Sequence, residues 1–205
     1  HIYTVDVHSI FLIKEFEKLI NNEYIDEFPF ETKIAKKIKK KDLFSVAALL
    51  HDIGKGFGKG HSDRGAAMSE TICERFSYNE DSKELIYFLI KEHLTMSGFS
   101  QKRDMDDMEL IDEFRKRIKT IEKLDYLFIL TFCDLRSVAS DVWSDWKGNL
   151  LRLLYKKTFS MMTKKTQRKG LKNSKNIKLS YTSVEIENMV GRAHKQYFEL
   201  SLIHI

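Results

Sequence analysis

From His8 to Ile20 the apolar residues Ile10, Phe11, Ile13, Phe16, Leu19 and Ile20 form one wide stripe, which predicts an amphipathic helix. Asp6 stands where an N-cap is wanted and places His8 in the first turn. Pro29 marks a turn, and a short helix is expected from about Glu31 to Ile38. Leu43, Val46, Ala47, Leu50 and Ile53 recur at three- and four-residue steps, so Asp42 to Ile53 reads as a buried helix. Gly54, Gly56, Gly58 and Gly60 then predict a flexible loop. Ser62 can cap a helix to about Phe76, and another is expected from about Asp81 to Met96. Gly98 to Asp106 is polar and turn-like. Helices fit Met108 to Ile118 and the strongly apolar Ile121 to Val138. An amphipathic helix from Ser144 to Met161 and a last one from Ser183 to Leu202 complete the pattern. No period-2 alternation or hairpin signal appears. The expected fold class is all-α, a bundle of roughly eight to ten helices.

Composition sharpens this picture. One proline and nine glycines in 205 residues suit long helices with few tight turns, and 42% hydrophobic residues supply a sizeable core. Cys73 and Cys133 both fall in helical patterns, which argues for a reduced compartment, hence the cytoplasm, and against a disulfide framework. No signal peptide and no membrane-spanning run is found. The chain opens without Met and reads as a piece of something longer. The net charge of +5 is uneven. Lys164, Lys165, Arg168, Lys169, Lys172, Lys175 and Lys178 stand without an acid among them, and the remainder is mildly acidic. That excludes a basic surface built around nucleic acid, and no aromatic residues interleave those lysines. The expected division is a catalytic domain over 1–162 and a basic linker or loop over 163–180. A C-terminal helix over 181–205 would pack on the domain or lead to a further one.

The candidate chemistry lies in polar groups set into apolar helices. His51 and Asp52 close the helix that begins at Asp42, His8 sits in the first one, and Asp134 interrupts Leu127-Phe128-Ile129-Leu130-Thr131-Phe132-Cys133. Burying a charge is costly unless it is paired or ligates a metal. Adjacent residues on a helix point about 100° apart, so His51 and Asp52 can share an ion only where the helix unwinds. His61 follows the glycine loop and His93 ends a helix. His1 rivals His8, which is preferred because a helix's first turn holds a ligand more rigidly than a chain end. His194 and His204 read as surface residues.

The order His, His-Asp, Asp resembles the HD superfamily of metal-dependent phosphohydrolases. The surrounding residues are similar to one branch, the HD domains of bacterial bifunctional PII uridylyltransferase/uridylyl-removing enzymes. The resemblance is carried by the stretches His1–Ser9, Leu49–Gly56, Gly60–Ala66, Lys91–Ser97, Asp134–Val138 and Val142–Lys147, with Leu150-Leu151-Arg152 after them. It covers about His1 to Thr158. It implies an HD-domain helical bundle that hydrolyses the uridylyl-tyrosine phosphodiester on the PII signalling protein, releasing UMP. It also implies a transferase domain before and glutamine-sensing domains after, neither of them visible in this sequence.

The residues fit that chemistry on their own terms. A phosphodiester needs charge neutralisation, a nucleophilic water and a stabilised leaving oxygen, and divalent metal supplies the first two. His8, His51, Asp52 and Asp134 are expected to hold one ion, and His61 and His93 a second, with Asp52 bridging and so counted with the catalytic groups. The donors suit Mn, Mg, Fe, Co, Ni or Zn alike. Lys55, on the glycine loop, and Arg103 are candidate phosphate contacts, and Asp63 and Asp145 candidates for orienting ligands. Two rival readings are a small-molecule nucleotide phosphohydrolase and a regulatory module stapled by metal.

Overall fold

The structure, a computed structural model, describes residues 3–102, 105–138 and 143–174. They form nine α-helices and no strand among the described residues. In order these are α1 (Val5–Ile20), α2 (Pro29–Ala35), α3 (Lys41–Leu50), α4 (His61–Arg75), α5 (Glu80–Glu92), α6 (Thr95–Lys102), α7 (Met108–Ile118), α8 (Ile121–Val138) and α9 (Asp145–Ser174). A short 3₁₀ turn, Lys55–Phe57, lies between α3 and α4. Residues up to Thr163 make one compact unit, and a second begins at Lys164. No described helix is long and apolar enough to cross a membrane.

The axis of the first unit is α8. Every residue from Leu124 to Cys133 is buried, so the helix is covered on all sides, as a helix apolar all round must be. It packs against α1, α2, α3, α5, α6 and α7. Leu12, Phe16 and Leu19 form the inward stripe of α1. Phe16 meets Phe44 of α3 with ring centroids 4.0 Å apart, and Phe132 of α8 meets Phe28 and Trp143 edge-on at 5.1 and 4.8 Å. Cys73 and Cys133 are free and buried, and burial pushes both thiols up, as suits inert core residues.

Several boundaries differ from the periodic pattern for identifiable reasons. α1 starts at Val5, so Asp6 lies inside the first turn, and the cap position is Thr4, whose side chain makes no capping bond to the helix backbone. α2 starts at Pro29 itself, whose fixed φ suits a first helical position, and it ends at Ala35. α4 is preceded by Gly60 at φ +79° rather than capped by Ser62. α5 ends at Glu92, and α6 occupies part of the stretch read as a turn. Met96 and Ser100 bury one face of α6, a stripe too short and too polar to register as periodic. α9 runs past Met161 into the basic stretch as far as Ser174. The helix expected over 183–202 lies outside the described residues.

Buried ion pairs tie the outer helices to this core. Arg152 of α9 donates through Nε to Glu31 Oε1 of α2 at 2.7 Å, and the Glu31 side chain is 1% exposed. Breaking a buried pair by removing one partner strands the other charge. Arg152→Met should therefore destabilise the fold by on the order of 3 kcal/mol, and Arg152→Met with Glu31→Leu should recover most of that loss. Urea denaturation of both variants against the unaltered protein checks this; equal stability of the two variants would refute it.

Candidate metal centre

The site forms where α1, α3, α4, α5 and α8 converge. α3 stops at Leu50, and residues 51–54 form turns, with His51 itself still at right-handed helical dihedrals (φ −56°, ψ −33°). His51 Nε2 lies 3.2 Å from Asp52 Oδ2. Asp134, in the last turns of α8, places Oδ1 2.9 Å from His8 Nε2 and 3.7 Å from His51 Nε2. On the other side, His61 Nε2 and His93 Nε2 each lie 3.6 Å from Asp52 Oδ1, and 3.4 Å from each other. The two oxygens of Asp52 thus face different histidine sets. His8, His51 and Asp52 form one group able to hold a metal ion, and Asp52, His61 and His93 another.

The turn is held in place by a close backbone approach. A Cβ on Gly54 would lie 2.1 Å from the carbonyl oxygen of His61 and 2.9 Å from the amide nitrogen of Gly65. Gly54 has an ordinary negative φ, so it is needed for space, not for conformation. It seats the His51–Asp52 turn directly on the first turns of α4, which carry His61.

Three of the four histidines are oriented from behind. His51 Nδ1 donates to Ala48 O and His93 Nδ1 to Ile90 O, both at 2.7 Å. Ser137 Oγ donates to Asp134 O at 2.8 Å and faces His8 Nδ1 at 3.2 Å, where it accepts the ring proton. These bonds orient the three rings with Nε2 inward, where His8 Nε2 meets Asp134 Oδ1 at 2.9 Å and His93 Nε2 meets His61 Nε2 at 3.4 Å. His51 Nε2 and Asp52 Oδ1 are buried and have no hydrogen-bond partner. Buried polar atoms are normally paired, so a convergent cluster that leaves two unpaired fits a divalent cation.

Electrostatics agree. Burial disfavours charge on His51, but the Asp134 and Asp52 carboxylates outweigh it and raise the group to about 10. Against burial, His51 and Lys55 hold Asp52 well below the usual carboxylate range, and His51 and His8 do the same for Asp134. His93 is pushed down to about 4 by burial and by the charge on His51. The cluster is built to enclose positive charge beside its carboxylates.

Lys55 Nζ lies 2.5 Å from Asp52 Oδ2, beside a cleft of about 280 Å³ lined by Tyr3, Thr4, Val5, His8, Asp52 and Gly56. The structure thus brings together His8, His51, Asp52, Lys55, His61, His93 and Asp134. It leaves Asp63 on the surface, 3.7 Å from Lys91, and Asp145 exposed in the first turn of α9. Arg103, His1, His194 and His204 lie outside the described residues. Ser137 had not been singled out, and Arg136 only as a salt-bridge partner for Asp134. Ser137 stands three residues after Asp134, the spacing that puts both on one helix face. Arg136 donates from α8 to Glu15 of α1 at 2.8 Å and to Tyr24, locking the helices that carry Asp134 and His8.

Residues 31–130 match the model of the HD domain family, the domain of metal-dependent phosphohydrolases; the chain carries an HD domain. The match takes in His51, Asp52, His61 and His93, while His8 and Asp134 flank it. Among the relatives is the bifunctional uridylyltransferase/uridylyl-removing enzyme of Idiomarina loihiensis, 37% identical over 158 residues, which are 77% of this chain and 18% of that enzyme. The enzyme of the same name from Pseudomonas fluorescens is 38% identical over 173 residues, 84% of this chain and 19% of the relative. That of Erythrobacter litoralis is 43% identical over 155 residues, 76% and 17%. The chain spans less than a fifth of the length of these relatives.

Gly54→Ala should force the turn off α4, since backbone atoms cannot yield as a side-chain end can. The expected cost is about 1–3 kcal/mol, typical of overpacking, with weaker binding of Mn²⁺. Thermal melting and metal titration of the purified variant measure both; an unchanged melting temperature and affinity would contradict this role for Gly54.

Proposed function

We propose that this domain hydrolyses a nucleotidyl–protein phosphodiester, releasing UMP from uridylylated PII. The single observation that carries the reading is Asp52, a buried carboxylate with one oxygen toward each histidine set and with Lys55 beside it. The named activity of the relatives supports the uridylyl-removing direction.

In this reading His8, His51, Asp52 and Asp134 hold one divalent ion, and Asp52, His61 and His93 a second. Bound there, the ions polarise phosphoryl oxygens and lower the pKa of a nucleophilic water. The protein's own groups do the rest. Ser137 and the carbonyls of Ala48 and Ile90 keep the rings of His8, His51 and His93 in fixed orientations, so no reorganisation is needed as charge develops. Lys55 turns its ammonium from Asp52 to a non-bridging phosphoryl oxygen, where charge grows as the bond to phosphorus breaks. The leaving group is a tyrosyl oxygen, whose phenol has a pKa of about 10. Such an oxygen departs without a strong general acid, and no further acid is assigned. The cleft beside Tyr3, Thr4 and Val5 is open enough to admit a protein-borne tyrosine.

Two measurements test the proposal. With Mn²⁺, the protein should release UMP from uridylylated PII faster than it hydrolyses free mono- or cyclic nucleotides, and Lys55→Ala should lower kcat by about 10²–10³, the usual effect of losing one preorganised contact. Rapid turnover of free nucleotides with no UMP from modified PII would instead favour a small-molecule phosphohydrolase. Elemental analysis addresses the ions. Asp52→Ala should lose nearly all bound metal, whereas His93→Ala should keep about half and lose far more than half its activity. Unchanged metal content in His93→Ala would reduce the site to one ion.

A further inference from the structure

A second cleft, of about 370 Å³, is walled by α4, α6 and α7 and by the stretch around the end of α5, with no metal-site residue in its lining. Its wall includes Ser62 and Leu94, the residues immediately after His61 and His93. The volume falls in the range of small-ligand sites. We propose that this cleft receives the nucleoside, ribose and pyrimidine base, of the nucleotide whose phosphate sits at Asp52. The inference rests on the phosphodiester-hydrolase reading and assigns the substrate's two arms to two clefts.

The lining supports a nucleoside over the other arm, a tyrosine. Leu94, Phe99 and Leu110 give an apolar face for a base, and Leu94 is about half exposed. Lys91, Glu113 and Arg117 stand around it. A tyrosine ring has one polar atom, and in the substrate that atom is the ester oxygen at phosphorus. Seated here it would offer nothing to Glu113, or to the donors that Lys91 and Arg117 do not spend on Asp63 and Glu92. A pyrimidine nucleoside carries carbonyl oxygens for Lys91 and Arg117 and an imide or hydroxyl proton for Glu113.

The cleft is also built rather than incidental. Glu92, buried and adjacent to His93 in the chain, accepts from Arg117 Nε and from Thr95 Oγ1, both at 2.5 Å. One carboxylate thus fixes a guanidinium and a hydroxyl of the cleft wall beside the metal-site histidine. Gly98 lies within α6 and lines the cleft, and a Cβ there would meet nothing within 4 Å. Glycine inside a helix costs roughly 0.5–1 kcal/mol relative to alanine, and neither backbone nor packing requires it at this position. It leaves the cleft wider than any other residue would.

Binding tests this without turnover. Calorimetric titration of the Mn²⁺-loaded protein should give a Kd for UMP at least tenfold below that for inorganic phosphate. Gly98→Leu, whose side chain enters open space, should keep the melting temperature and the phosphate affinity while raising the UMP Kd at least tenfold. Glu113→Gln, at an exposed position, should raise the UMP Kd several-fold and leave phosphate unchanged. UMP binding no tighter than phosphate, or Gly98→Leu binding UMP as the unaltered protein does, would overturn the assignment. Failure to hydrolyse uridylylated PII, with this binding pattern intact, would refute the proposed reaction and leave the nucleoside cleft standing.

Discussion

Asp52 is a carboxylate 2% exposed in the interior of a helical domain. An uncompensated charge in such a place costs several kcal/mol, so the surrounding structure is arranged to neutralise it. Four imidazoles and one ammonium face it, delivered by five successive parts of the chain. α1 brings His8, the end of α3 brings His51, the loop that follows brings Lys55, α4 brings His61, and the residue after α5 brings His93. The packing of these helices on α8 and on one another is what makes those five groups meet. Site and core are consequently one construction, and the polar centre depends on the apolar contacts that fix each helix in its rotation.

The same dependence explains the polar groups further out. Glu15, Arg136 and Tyr24 form a half-buried cluster in which the guanidinium also lies over Phe28 and Phe132. Burial opposes the charge on Glu15, and Lys18 and Arg136 more than offset it, holding the carboxyl below its ordinary range. The cluster sits two residues beyond Asp134 along α8 and two helical turns beyond His8 along α1. It sets the relative rotation of these two helices, and with it the 2.9 Å approach of His8 to Asp134.

Much of this was legible in the sequence because polar residues inside apolar runs are rare enough to carry meaning. Asp134 stood out against the seven apolar or weakly polar residues before it, and the expected helix over Ile121–Val138 matches α8. The all-α class followed from the 3.6-residue stripes and the scarcity of proline. Other features left no local trace. α6 has only Met96 and Phe99 as large apolar residues, so its helicity is imposed by packing rather than announced by periodicity. Gly54 read as one of four loop glycines, whereas its role is steric and depends on His61 and Gly65, residues placed against it only by the fold. Glu15 belongs to no apolar stripe, and its partner Arg136 comes from α8, more than a hundred residues away. Long-range pairs of this kind are invisible to any window that spans one helix.

The burial of α8 on every side has a consequence for how this chain can change in length. Its last two turns present Asp134 to the metal centre, Ser137 to His8 and Arg136 to Glu15, three different neighbours at three angular positions. Inserting or deleting one residue between Leu124 and Asp134 would turn all three by about 100° and shift them about 1.5 Å along the axis. No compensating rotation is open to a helix gripped on all sides. Only an insertion of about seven residues, close to two full turns, would restore the angular phase, and it would displace the end of the helix by about 10 Å. Connections such as residues 21–23, ahead of Tyr24 and Phe28, meet no such constraint on phase. The domain thus has a fixed gauge along α8 and tolerance at its connections, so variation in length belongs to its loops.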